Sequence, residues 1–335
     1  MTHKPKSLIV GHRKDRTAVF PENNLHALNR QIDWISTPVD SREFQARLSQ
    51  FRDLEIIFGT WGMPWLEQDL LESLPNLRAI FYAAGTLRSF VPDEFWGRDI
   101  IISTASKANA IPVADLTMAA LVFGLKGILP AARETRRLRS YHPKPGRHGF
   151  GTYRPRIGLV SYGAIARLVR QRLRSLDAEV LVYDPFLSID EADREDIALV
   201  ELDEMFTQCH AVSVHAPALP STRHLIRGHH IRALRENSVF INTARGSVVA
   251  QTEMISALQE RQDIEAFIDV TDPEPPEDSS PLYDLPNVLL TPHIAGSTGH
   301  EVARLGQFMI EEYQRYASGQ TLHHQVHRQD LELLA

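Results

Sequence analysis

The chain has 335 residues, long for a single compact core and sufficient for two domains of roughly 100–200 residues each. With 43% hydrophobic and 23% charged residues, its composition is that of an ordinary globular protein, neither disordered nor fibrous. A formal net charge of -6 argues against broad nucleic-acid affinity, which needs a clustered positive face, and the single cysteine, Cys209, excludes an internal disulfide.

The polar, basic start runs into only a brief apolar stretch at 8–10, too short for a signal peptide or a membrane span. A cytoplasmic location and no membrane association are expected. Short β-branched runs alternating with helical patterns then predict strands at 7–10, 54–58, 78–83 and 100–103, with a helix-period segment at 66–74. This reads as a small α/β domain. Residues 111–139 predict a long helix, with Pro130 its point of interruption, that carries the chain into a second domain. A loop rich in proline and glycine follows at 141–154.

From residue 156 the pattern sharpens into strands at 157–160, 179–183, 211–215, 239–242, 266–270 and 288–290, with helices between them. Cys209 adjoins the apolar run 211–214 and is expected to be a buried small hydrophobe. The amphipathic segment 300–317 is expected to be a helix able to pack back against the first domain.

Strand 157–160 leads into Ser161-Tyr162-Gly163-Ala164-Ile165-Ala166, where a G-x-G-x-x-G turn would bind a dinucleotide. Gly163 is where backbone must approach a pyrophosphate, Ala166 suits helix-on-strand packing, and Ser161 stands in place of the first glycine, offering a hydroxyl toward the phosphates. The next strand ends at Tyr183-Asp184. An acidic side chain there accepts from ribose hydroxyls and repels a 2′-phosphate, so NAD is expected over NADP. Three later segments each follow a predicted strand: Asn242-Thr243-Ala244-Arg245-Gly246, Asp269-Val270-Thr271-Asp272-Pro273-Glu274, and Thr291-Pro292-His293-Ile294-Ala295-Gly296. Loops at the carboxyl ends of parallel strands converge, which brings Arg245, Glu274 and His293 into one crevice despite their separation in sequence.

The order, spacing and flanks of these segments, with the strand-end His215-Ala216-Pro217, resemble the D-isomer-specific 2-hydroxyacid dehydrogenase family over 158–297. In the first domain the resemblance rests on Ala84-Gly85-Thr86 and on residues 109–115, where Asp115 replaces the glutamate common in the family. The resemblance implies two Rossmann-like parallel-sheet domains with an active-site cleft between them. The smaller is a flavodoxin-like substrate domain (1–108 plus 298–335), the larger an NAD-binding domain (109–297). It also implies a homodimer and a small 2-oxo or 2-hydroxy acid as substrate. Arg245 would bind the substrate carboxylate, His293 would be the acid/base, and Glu274 would orient it and favour its protonated form. Ala84, Gly85 and Thr86 would join Arg245 and His293 on the substrate. The implied cofactor contacts are Tyr162, Gly163, Ala164, Ile165, Asp184, His215, Pro217, Thr222, Thr243, Ala244, Arg245, Asp269, His293 and Ala295, with Asp269 on the nicotinamide carboxamide.

Other features invite other readings. Trp61, Met63, Trp65, Tyr82 and Leu87 are large candidates for pocket walls. His323, His324 and His327 read as a solvated tail, so no metal is expected, and His229-His230 as the solvent-facing start of a helix. Arg133, Arg136, Arg137 and Arg139 suit a helix C-terminus better than a nucleic-acid face. The alternative from another functional class is a dinucleotide-sensing binding protein, corepressor-like, with little or no turnover.

Overall fold

Runs of Val, Ile and Phe too short for helices form the strands of the computed structural model, which describes residues 3–141 and 149–332; the segment 142–148 of the predicted loop lies outside them. The chain divides into two compact units, one of Met1–Asn109 with Ser297–Ala335, the other Ala110–Gly296.

In the first unit, β1 (Lys6–Val10), β2 (Asp33–Trp34), β3 (Ile56–Gly59), β4 (Ala79–Tyr82) and β5 (Ile101–Thr104) form a parallel sheet in the order β2-β1-β3-β4-β5. That is the 2-1-3-4-5 order of flavodoxin-like folds. Successive side chains leave opposite faces and both faces are covered. Leu8, Val10, Ile57, Ile80 and Ile102 enter one apolar cluster, and Ile9, Ile56, Phe58, Ala79 and Phe81 the other. The second cluster is completed by the C-terminal helix Val302–Ala317 through Leu305, Met309, Ile310 and Tyr313, each such burial contributing about 1.5–3 kcal/mol. This is why the chain returns here after its last strand.

In the second unit, β6 (Arg156–Val160), β7 (Glu179–Tyr183), β8 (Ala198–Leu199), β9 (Ala211–Val214), β10 (Val239–Asn242), β11 (Glu265–Ile268) and β12 (Val288–Leu290) form a parallel sheet. Its order is β12-β11-β10-β9-β6-β7-β8, so the direction of winding reverses between β6 and β9. A crevice outside the carboxyl ends of strands opens at such a switch point. Cys209, which precedes β9 at the opposite end of the sheet, is buried in the core against Gly158, and burial pushes its thiol up to about 12.

Three expectations are corrected, and two strands are added that the sequence reading did not contain. The long helix is two, Ser106–Leu125 and Ile128–Leu138, broken at Gly127 in the left-handed region (φ 60°), while Pro130 sits in the first turn of the second, where no intrahelical donor is lost. The two-residue edge strands β2 and β8 carried no periodic signal. The histidine tail is not free: Thr104 N–H donates to the His324 carbonyl, Val326 N–H to that of Ile102, and the buried Glu312 carboxylate accepts from the His323 and His324 amides. Of the histidine pair, His229 is exposed but His230 is buried against Phe206.

Candidate active site and cofactor crevice

The turn after β6 is set by Asp184. Its Oδ2 accepts from Tyr162 N (2.7 Å) and Ser161 Oγ (3.3 Å), and its Oδ1 from Phe186 N (2.8 Å). Ser161 adopts φ 73°, the left-handed conformation that glycine takes at least cost, and its hydroxyl meets Asp184 instead of reaching toward phosphates. Gly163 caps the helix Ala164–Leu173, and a Cβ added to it would meet nothing within 4 Å, so the backbone there is open to a ligand. Ala164 is exposed and Ile165 half-buried. Tyr162 turns inward instead: its ring is buried in the core with the Arg167 guanidinium 4.7 Å above it.

His215 directly follows β9, across the switch point. It is buried, both ring nitrogens lack a partner, and burial lowers its pKa to about 4, so it is neutral at physiological pH. Orphaned polar atoms of this kind beside an open helix N-terminus and an oriented carboxylate fit a dinucleotide. Thr222 has its hydroxyl committed to the Pro217 carbonyl (2.5 Å) and the Leu219 amide (2.9 Å), closing the loop that carries Pro217.

At the carboxyl end of β10, Asn242 shapes the next turn, its Oδ1 accepting from Ala244 N (3.1 Å) and its Nδ2 donating to the Arg245 carbonyl (3.2 Å). Thr243 is buried on Thr117 (3.1 Å between hydroxyls), and Ala244 is buried beside it. Arg245 spends one Nη1–H on the Ala244 carbonyl (2.7 Å); burial pulls its pKa below the usual value and the charge of Glu274 pushes it back up. Gly246 is required by contact, because a Cβ would lie 2.0 Å from the Thr271 carbonyl carbon and oxygen.

His293 and Glu274 meet directly, Nδ1 to Oε1 at 2.5 Å. Both are about half exposed, 46% and 42%, so the pair contributes at most about 1 kcal/mol to folding and its value lies in aiming the ring. The backbone of His293 is also left-handed (φ 54°), which costs on the order of 1–3 kcal/mol and must be held by its surroundings. Asp269 provides that hold, being 3% exposed. Its Oδ1 accepts from Thr291 Oγ1 (2.6 Å) and Ile294 N (2.9 Å), its Oδ2 from Ala295 N (2.8 Å), and its carbonyl from His293 N (2.9 Å). The structure thus brings Arg245, Glu274 and His293 together at the ends of β10, β11 and β12. Sequence reasoning gave no role to Thr291 or Asn242, although a hydroxyl or amide just past a strand end is a standard turn-shaping signal.

Ala84, Gly85 and Thr86 lie just past β4 in the first unit, and a Cβ on Gly85 would also meet nothing within 4 Å. Of the candidate pocket walls, Met63, Tyr82 and Leu87 belong to that unit's core, Trp61 is partly buried against it, and Trp65 is exposed. Arg133 is engaged by Glu265 (2.7 Å) and the Pro286 carbonyl, Arg137 by Glu134, and Asp115 by Arg172 (2.7 Å). Asp203, His229 and His230 lie close enough to hold a cation, but His230 Nδ1 accepts the Arg227 amide, which leaves Nε2 bearing the proton that faces Asp203 and no lone pair for a metal.

The sequence model for the D-isomer specific 2-hydroxyacid dehydrogenase NAD binding domain matches residues 118–295. The chain belongs to this dehydrogenase family. It is similar to (S)-sulfolactate dehydrogenase of Chromohalobacter salexigens, 30% identical over 251 residues, 75% of this chain and 81% of that one. Glycerate dehydrogenase of Methylorubrum extorquens is 27% identical over 76% of this chain and 80% of its own length. The D-3-phosphoglycerate dehydrogenase of Methanocaldococcus jannaschii is 26% identical over 82% of this chain, which spans about half (52%) of that longer protein. Among solved structures, a phosphoglycerate oxidoreductase from Rhizobium etli shares the fold at a TM-score of 0.82 with 19% identity, covering 97% of this chain and 99% of that one. The NAD-complexed D-isomer specific 2-hydroxyacid dehydrogenase of Lactobacillus delbrueckii does so at 0.77 with 18%, covering 96% and 100%. As a member of the 2-hydroxyacid dehydrogenase family the protein is an NAD-dependent oxidoreductase, and the crevice at the β6/β9 switch point belongs to its NAD-binding unit.

Proposed function

We propose that the protein interconverts a small 2-oxo acid and the corresponding D-2-hydroxy acid, with Arg245 holding the carboxylate, His293 exchanging the proton and Glu274 orienting His293. The observation that carries this reading is the 2.5 Å contact of His293 Nδ1 with Glu274 beside a guanidinium on which the same carboxylate acts. Arg245 presents a planar fork of donors matched to a carboxylate, and its positive charge polarises an adjacent 2-oxo oxygen. Bound NADH supplies the hydride for the carbonyl carbon. As the carbonyl oxygen gains negative charge, His293 passes it the proton of Nε2, the ring nitrogen not engaged by Glu274. In the oxidative direction the same nitrogen takes the hydroxyl proton, and Glu274 stabilises the imidazolium that forms. With three internal donors already on its carboxylate, Asp184 would keep about one lone-pair direction, on Oδ1, for a ribose hydroxyl, and Gly163 would leave room for the pyrophosphate at the helix N-terminus.

The test is turnover of NADH with glyoxylate, hydroxypyruvate, sulfopyruvate and phosphohydroxypyruvate, with Arg245→Ala and His293→Ala alongside. Each variant is expected to lose about 10²–10⁴-fold in kcat/KM while still quenching NADH fluorescence on binding. Turnover that survives His293→Ala sinks the assignment. NADH binding without reduction of any acid would favour the dinucleotide-sensing alternative.

A further inference from the structure

We propose that Asp269 and Thr291 form a clamp that positions His293, so that Thr291, which need touch neither substrate nor cofactor, governs the rate of proton exchange. This rests on the acid/base role proposed for His293. The carboxylate of Asp269 is buried and takes three hydrogen bonds from the single segment that contains His293. One comes from the Thr291 hydroxyl two residues before it, the others from the amides of Ile294 and Ala295 directly after it. The same residue's carbonyl receives the amide of His293 itself. The histidine is therefore pinned on both sides and at its own nitrogen by one residue at the end of β11.

A left-handed residue at a loop tip relaxes when its constraints are removed, and relaxation here would carry the ring away from Glu274. A carboxylate offers about four lone-pair directions, so three internal bonds leave about one for a cofactor amide. Its three internal partners make Asp269 a positioning residue before it is a cofactor contact. Asparagine could not replace it, because one amide nitrogen would face N–H or O–H donors already pointing at it. Valine at 291 is the milder probe: it keeps the shape of threonine and removes only the hydroxyl.

Thr291→Val and Thr291→Ser are the variants, with kcat, KM for the 2-oxo acid, the Kd of NADH by fluorescence, and the NMR chemical shifts of the His293 ring at one pH, assigned by loss of their signals in His293→Ala. Thr291→Val is expected to lower kcat about tenfold, the scale of a small misplacement of a catalytic group, with KM and NADH Kd within about twofold. The His293 ring shifts are expected to change in Thr291→Val, and Thr291→Ser to restore both readouts. Unchanged kcat and ring shifts in Thr291→Val would overturn the clamp, as would a loss of NADH binding in proportion to the loss of rate or a failure of serine to rescue. The ring shifts read the clamp without turnover, so activity persisting in His293→Ala would refute the acid/base role separately.

Discussion

Ser161 shows how one residue can depart from a motif and still keep its geometry. At φ 73° a side chain costs on the order of 1 kcal/mol relative to glycine. The hydrogen bond to Asp184 returns about the same amount, and glycine would in addition bring a more disordered unfolded state. These terms offset, so Ser161→Gly is expected to change the unfolding free energy by less than about 1 kcal/mol. Ser161→Val lacks the hydroxyl and has a β-branched side chain in a region that such residues avoid, so a loss of about 2–3 kcal/mol is expected. Urea midpoints of the two variants check the contrast, and equal midpoints would mean that the positive φ is not maintained in solution.

Among the elements, the turns at the carboxyl ends of β10, β11 and β12 matter most, because side-chain hydrogen bonds set the shape of each: Asn242 within the first, Gln251 of a helix on the second, and Asp269 from the end of β11 on the third. Arg245, Glu274 and His293 were legible in the sequence because chemically unusual residues follow apolar strand patterns. The turn chemistry that aims them was only partly so: Asn242 acts locally, on groups two and three residues along, whereas Asp269 and the segment from Thr291 to Ala295 act across strands on partners 22–26 residues apart. Gly246 belongs to the same layer. A Cβ at 2.0 Å from the Thr271 backbone cannot be relieved by a rotamer change, so Gly246→Ala must displace the segment that leads to Glu274. A loss of 3 kcal/mol or more by denaturant titration is expected, about the top of the overpacking range, together with reduced turnover. An alanine variant of native stability would show that the approach is looser than described.

For the whole molecule, buried neutral histidine makes folding sensitive to acid. His215 titrates near 4 in the folded chain against about 6.5 when unfolded. Above pH 6.5 both states are neutral and the full stability is present. As pH falls from 6.5 toward 4 the unfolded chain takes up a proton that the folded chain refuses, and on the order of 3 kcal/mol is lost, with no further loss from this residue below pH 4. His215→Gln should flatten that part of the stability–pH curve measured by urea unfolding, and an unchanged slope would show that the ring is hydrated or partnered. His210, His230 and His324, also lowered by burial, act in the same direction and remain in the variant. The sequence by itself determined the α/β class, ten of the strands (β7, β10 and β12 to the residue and the other seven within two residues at each end), and the residue types of the site, because hydrophobic periodicity and strand-end chemistry are local properties. The tertiary structure alone decided that Tyr162, Met63, Tyr82 and Leu87 are core, that the histidine tail is tied to β5, and that Asp184 and Asp269 spend their carboxylates on backbone amides. Burial and hydrogen-bond partnership depend on which distant residues a fold brings alongside, and no window of sequence contains them.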